Sequence, residues 1–155
     1  MNNDRAYEWS LCDKINRRII EKYGEDSDTN DFPENERVIV LVWTAIGIIE
    51  NGGFKYLFQS EFPGDSNYRQ MFQAFRAINA SSAIEAIKRA FDLFPNGMPP
   101  DDHELRISLY EMHEEETLHA INLSFYDAIE EATQSLFVFI INNGLHIKWK
   151  EGSLM

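Results

Sequence analysis

The sequence predicts an all-α protein, a single compact multi-helix domain with a short extended tail near its C-terminal end. Three observations carry that prediction. Apolar residues recur at helical spacing along most of the chain, helix-start and helix-stop residues punctuate it, and only Leu145 to Trp149 alternates as a strand would. There is no internal repeat, low-complexity linker or second set of core elements, so residues 1–155 read as one helical domain.

Taken in order, Asp4 to Tyr23 sets Tyr7, Leu11, Ile15 and Ile19 on one stripe, an amphipathic helix that Gly24 ends. Residues 25 to 32 form a polar, acidic loop. Pro33, Glu34 and Glu36 then open a helix whose Val38 to Ile49 run is almost wholly apolar. Asn51-Gly52-Gly53 stops it, because glycine takes the left-handed conformation that reverses a chain. Phe54, Leu57 and Phe58, at i, i+3 and i+4, form a short second helix to Ser60 that folds large side chains back on the first.

Pro63-Gly64-Asp65 marks a turn, and Asp65 or Ser66 caps a helix with Tyr68, Met71, Phe72, Phe75 and Ile78 inward. Ser82-Ala83-Ile84-Glu85 has capping-box spacing and opens a helix through Ile84, Ile87, Phe91 and Phe94, which Pro95-Asn96-Gly97 breaks. Pro99 and Pro100 lead into Asp101-Asp102-His103-Glu104, acids at the positive end of a helix expected to bury Leu105, Leu109 and Met112 and to fray after His113. Ser124 and Asp127 start a last long helix with Phe125, Ile129, Leu136, Phe137 and Ile140, stopped at Asn143-Gly144.

Composition excludes several classes. A hydrophobic share of 44%, with 13% aromatic, is that of a folded chain despite a net charge of −12. The Val38–Ile49 run is too short to span a bilayer and lacks a positive flank, so the expectation is a cytoplasmic protein with no membrane contact. The lone Cys12 allows no internal disulfide and reads as a core residue of the first helix. His113 and His119 are six apart, where two zinc ligands on one helix face need four; His103 and His146 read as surface or capping residues. No nucleophile elbow, phosphate loop or dinucleotide fingerprint occurs, and Asp26-Ser27-Asp28-Thr29-Asn30-Asp31 lacks the glycine and closing glutamate of a calcium loop. The expectation is therefore no catalytic residue, no cofactor and no metal. Trp43, Tyr56 and Tyr68 read as core aromatics, and without a basic groove direct nucleic-acid binding is disfavoured.

The acids are the one feature that reads as a site. Glu25, Asp26, Asp28, Asp31, Glu34 and Glu36 face no Lys or Arg between residues 25 and 36, a local charge of −6. From 101 to 131, Asp101, Asp102, Glu104, Glu111, Glu114, Glu115, Glu116, Asp127, Glu130 and Glu131 face Arg106 alone, a local charge of −9. The rest of the chain is net basic. Asp101, Glu104, Glu111 and Glu115 would line one face of a single helix, at the spacing that occupies lysines and arginines otherwise used on phosphates. The alternative is a solvated surface, the ordinary setting of a run such as Glu114-Glu115-Glu116.

The chain also resembles a known family. Asn51-Gly52-Gly53-Phe54 with Phe58, then Phe94-Pro95-Asn96-Gly97 running into Pro100 and Arg106, then Phe125-Tyr126-Asp127, are similar in kind, order and spacing to the bacterial DNA-mimic protein family, much of it catalogued as a domain of unknown function. The resemblance implies an all-helical fold and, from characterised relatives, an acidic face that binds a basic DNA-binding protein in place of DNA. The face would draw on Asp101, Glu104, Glu111, Glu114, Glu115, Glu116, Glu130 and Glu131. The shared motifs are structural and bring no catalytic residues. Two functions are open: a DNA mimic that blocks a transcription factor, as a monomer or homodimer, or an acidic immunity or adaptor protein that neutralises a basic toxin or effector without mimicry.

Overall fold

A computed structural model describes residues 3–25, 27–62, 65 and 68–149. Asp26, the Pro63-Gly64 turn, Ser66 and the last residues of the tail lie outside that set. Eight α-helices and two 3-10 turns make up the described chain, with no strand among them. They are α1 (Asn3–Tyr23), α2 (Glu34–Gln59), α3 (Arg69–Ala77), α4 (Ser81–Phe91), α5 (His103–Glu111), α6 (Glu115–Tyr126), α7 (Ile129–Asn142) and α8 (Leu145–Lys148).

The fold is built around α2. Its run of β-branched residues is a poor helix former, so burial rather than propensity holds it. Helices α1, α3, α5, α6 and α7 all pack against it, and Ile39, Val42, Ala45 and Ile49 are fully enclosed. By length and composition α2 is also apolar enough to cross a membrane, but here most of its apolar side chains are covered by the other helices. Each fully buried aliphatic side chain contributes roughly 1.5–3 kcal/mol.

The glycine pair breaks α2 by a kink, not by a full stop and reversal. Gly53 carries the strain, with φ 72° and ψ −169°, a conformation essentially confined to glycine. Beyond it Phe54 stacks on Phe58 at 5.9 Å between ring centroids and meets the edge of Phe125 at 5.5 Å. Asn122 of α6 locks the kink. Its side-chain oxygen accepts the Phe54 backbone N–H at 2.9 Å, and it lies so close that a Cβ on Gly53 would stand 2.7 Å from it.

Helix α3 starts later than expected, at Arg69, with Tyr68 at its N-cap in left-handed conformation (φ 63°). Asp65 still serves its first turn: its two carboxylate oxygens accept the backbone N–H groups of Gln70 and Met71 at 2.8 and 2.9 Å. Burial nevertheless pushes the Asp65 carboxyl up from its ordinary value, against the pull of those two donors. The start of α4 differs. The capping box does not form; Ser82 gives its backbone N–H and its hydroxyl to the two oxygens of Glu131, a residue of α7, at 3.1 and 3.0 Å. One acid thus closes α4 and ties it to α7.

The largest corrections fall on α5 and the helices after it. Leu105 and Met112 are not buried: they are 49% and 79% exposed, and Arg106 and Tyr110 face the core instead. Arg106, fully buried, donates through Nε to the Phe58 carbonyl at 2.7 Å and through Nη1 to the carbonyls of Pro100 and Asp101 at 3.0 and 3.3 Å. It also lies 3.4 Å from Glu61 and stacks over Tyr68 at 5.2 Å. A buried guanidinium is costly unless its donors are matched, and the end of α2 supplies an acceptor that its own helix leaves unpaired. The last long helix begins at Ile129, since residues 115–126, with Ser124 and Phe125, form α6. Tyr7 and Tyr56 are exposed where the sequence predicts core positions. Finally, Leu145 to Trp149 does lie on the core, with Leu145 and Trp149 buried, but as one helical turn after Gly144 and not as an extended tail.

Candidate functional site

The expected single acidic helix does not exist. Asp101 precedes α5, the helix ends at Glu111, and Glu115 opens α6. The acids sit instead at three helix starts: Asp102 and Glu104 at α5, Glu114, Glu115 and Glu116 at α6, and Glu130 and Glu131 at α7. A helix N-terminus carries partial positive charge and four unpaired N–H groups, so carboxylates there stabilise the fold whatever else they do.

Several are committed internally. Asp102 accepts the Leu105 N–H at 2.8 Å, Glu131 caps α4, and Glu130 pairs with Arg5 of α1 at 2.6 Å. Glu104, Glu111, Glu114, Glu115 and Glu116 remain, all exposed and without a hydrogen-bond or ion-pair partner among the described residues. They succeed one another along α5 and the first turn of α6. Residues 104 and 111 are two turns apart, so they share a face of α5.

That ribbon stands on a fixed frame. Arg106 anchors the start of α5 to the end of α2. At its far end His113 donates from Nε2 to the Leu93 carbonyl at 2.8 Å, which pins the turn carrying Glu114 to the end of α4. In the sequence His113 is only half of a failed zinc pair, and Arg106 closes the run from Phe94-Pro95 to Pro100 with nothing to show which carbonyls it will meet. The exposed face of α5 is also not purely charged: Leu105 and Met112 lie among the carboxylates.

The acidic loop from 25 to 36 is more divided than its composition suggests. Glu36 is 1% exposed inside α2, with Lys148 Nζ 3.0 Å from its Oε1. Asp28 accepts the Asn30 N–H at 2.8 Å and so closes the 3-10 turn Thr29–Asp31. Glu25, Asp31 and Glu34 are exposed. Among the described residues no group of three or more His, Cys, Asp or Glu side chains is placed to hold a metal ion. His103 is engaged with Glu61 at 3.1 Å beside Arg106.

A family model described as DMP19-like protein matches residues 30–143, from the 3-10 turn before α2 to the residue that closes α7. No curated protein and no solved structure matches the chain.

Proposed function

The chain belongs to the DMP19-like protein family, a family of DNA mimics, and from that premise we propose that it occupies the DNA site of a basic DNA-binding protein, such as a transcription factor. The observation that carries the reading is the ribbon Glu104, Glu111, Glu114, Glu115 and Glu116, exposed, unpaired and held between two anchors, the buried Arg106 and the half-buried His113. Unpaired carboxylates on a rigid frame offer lysines and arginines a ready-made counter-charge, as phosphates do, with no side-chain pairing to break first. The reaction is binding alone, and no residue in it is catalytic.

One observation favours the second reading, an acidic adaptor or immunity protein. Leu105 and Met112 interrupt the ribbon with apolar surface, which suits a protein partner with an apolar pocket more than a phosphate-binding groove. Competition separates the two. A labelled duplex bound to a DNA-binding protein of the host is expected to be displaced by this protein, and displacement should weaken as salt rises. The variant with Glu104, Glu111 and Glu115 changed to Gln should displace poorly while melting as the parent does, because Gln keeps size and helix propensity. If the triple variant competes as well as the parent, the ribbon is not the site. If the parent displaces no duplex from any DNA-binding protein tried, mimicry gives way to the adaptor reading.

A further inference from the structure

A second charged surface has the opposite sign. Between residues 69 and 91 the chain carries Arg69, Arg76, Lys88 and Arg89 against Glu85 alone, in a protein of net charge −12. Three of these cations, Arg69, Arg76 and Lys88, line one cleft of about 320 Å³ beside α3 and α4, with Phe72, Phe91 and Asp92. That volume is at the lower bound of small-molecule sites, which run from about 300 Å³. Phe72, partly exposed, leans on the buried Phe91 at 5.6 Å between centroids and is the aromatic surface that the cleft offers.

Helix dipoles explain only part of this. Arg76 and Lys88 stand in the last turns of α3 and α4, where a cation complements the carbonyl end. Arg69 is the first residue of α3, the end at which the dipole disfavours a cation, and it lines the same cleft. Arg69 and Arg76 are roughly 10 Å apart along the helix axis by helical rise, a span that two arginine side chains can close on one anion. Arg76 has no hydrogen-bond or ion-pair partner among the described residues, and Lys88 has only a surface pair with Glu85 at 3.5 Å. Such exposed pairs hold a lysine weakly.

We propose that this cleft binds a nucleotide, its phosphate among Arg69, Arg76 and Lys88 and its flat base against Phe72. Guanidinium groups take phosphate oxygens two at a time, and an aromatic ring accepts any base by its π-face. The Asp92 carboxylate on the same cleft accepts a hydrogen bond from a ribose hydroxyl or an exocyclic amine, and it disfavours a polyanion threading the whole length. The site is separate from the acidic ribbon and does not depend on it.

The test is a titration of the full chain at physiological salt, monitored residue by residue by NMR, with AMP, UMP, inorganic phosphate and adenosine as probes. AMP or UMP is expected to bind saturably, with shifts gathered on residues 69–76 and 88–98, and about tenfold more tightly than phosphate or adenosine alone. Arg76→Gln and, separately, Lys88→Gln should each weaken the nucleotide severalfold without lowering the melting temperature, since both side chains are exposed. Phe72→Leu should weaken the nucleotide but not phosphate, and Glu111→Gln should change nothing. Phosphate binding as tightly as the nucleotides would remove the base from the assignment and overturn it. An absence of saturable nucleotide binding, or binding untouched by both cation substitutions, would overturn it equally.

Discussion

Gly53 is the residue at which this sequence has least freedom. Its positive φ and the Asn122 side chain pressed against it act together: one removes the conformations open to other residues, the other removes the space. Gly53→Ala should therefore cost at least about 1–3 kcal/mol, read as a lowered denaturation midpoint. Gly52 is different. Its φ of −153° is open to any residue, and a Cβ there would stand 2.2 Å from the root of the Tyr56 ring, so that half-exposed side chain must take another rotamer. Gly52→Ala should be the milder change, and equal losses at the two positions would show that the kink is not held as described. The motif Asn51-Gly52-Gly53-Phe54 is legible in the sequence as a break with an aromatic anchor after it, because glycine pairs and i, i+3, i+4 spacing are local signals. Its partner is not. Asn122 lies 68 residues further on, and nothing in a polar residue of a helical stretch announces that it will accept the Phe54 N–H. The same holds for Arg106, whose burial rests on carbonyls from the end of another helix.

Among the helices, the departures from local pattern share one cause. Helix periodicity tells which residues lie together on a face, but the inward face of α5 is set by Arg106 and Tyr110 and not by Leu105 and Met112. Likewise Ser82 and Glu85 have the spacing of a local cap, yet a carboxylate from α7 takes the donors. Long-range hydrogen bonds outweigh local patterns in both places. Helix α1 offers its own test. Cys12 is fully buried on it, with Sγ 3.7 Å from the Thr133 carbonyl of α7 and burial pushing its thiol up to about 12. An ordinary thiol titrates near 9, so the protonated form dominates in the fold throughout the neutral range. This group's contribution to stability is therefore complete below pH 9 and falls as pH rises from 9 towards 12. The native protein at pH 8 is expected to react with a thiol reagent far more slowly than the guanidinium-unfolded chain. Fast labelling of the native protein would show that α1 undocks from α7 readily.

Taken as a unit, the protein binds the two ends of its described chain to each other. Arg5 pairs with Glu130, Arg18 donates to the Trp149 carbonyl, and Lys148 reaches the buried Glu36. The last contact sits between α8 and α2, and α8 lies beyond the residues that the family model covers. Lys148→Met should leave the Glu36 carboxylate buried without its counter-ion and cost on the order of 1–3 kcal/mol, less than for a fully enclosed pair because Lys148 is half exposed. Adding Glu36→Leu should restore most of that loss in a denaturant titration; a double variant as weak as the single one would mean that Lys148 matters by packing and not by charge. The docking of α1 on α7 has a further consequence, and it concerns time. During synthesis α1 is complete roughly a hundred residues before α7 begins, and at about 5–20 residues per second that is an interval on the order of 5–20 s. Helix α2 can cover part of the first helix in the meantime, but Cys12 and the apolar stripe beside it must wait for their second partner. A nascent chain halted before residue 129 is therefore a sticky intermediate, the species on which a ribosome-associated chaperone would act.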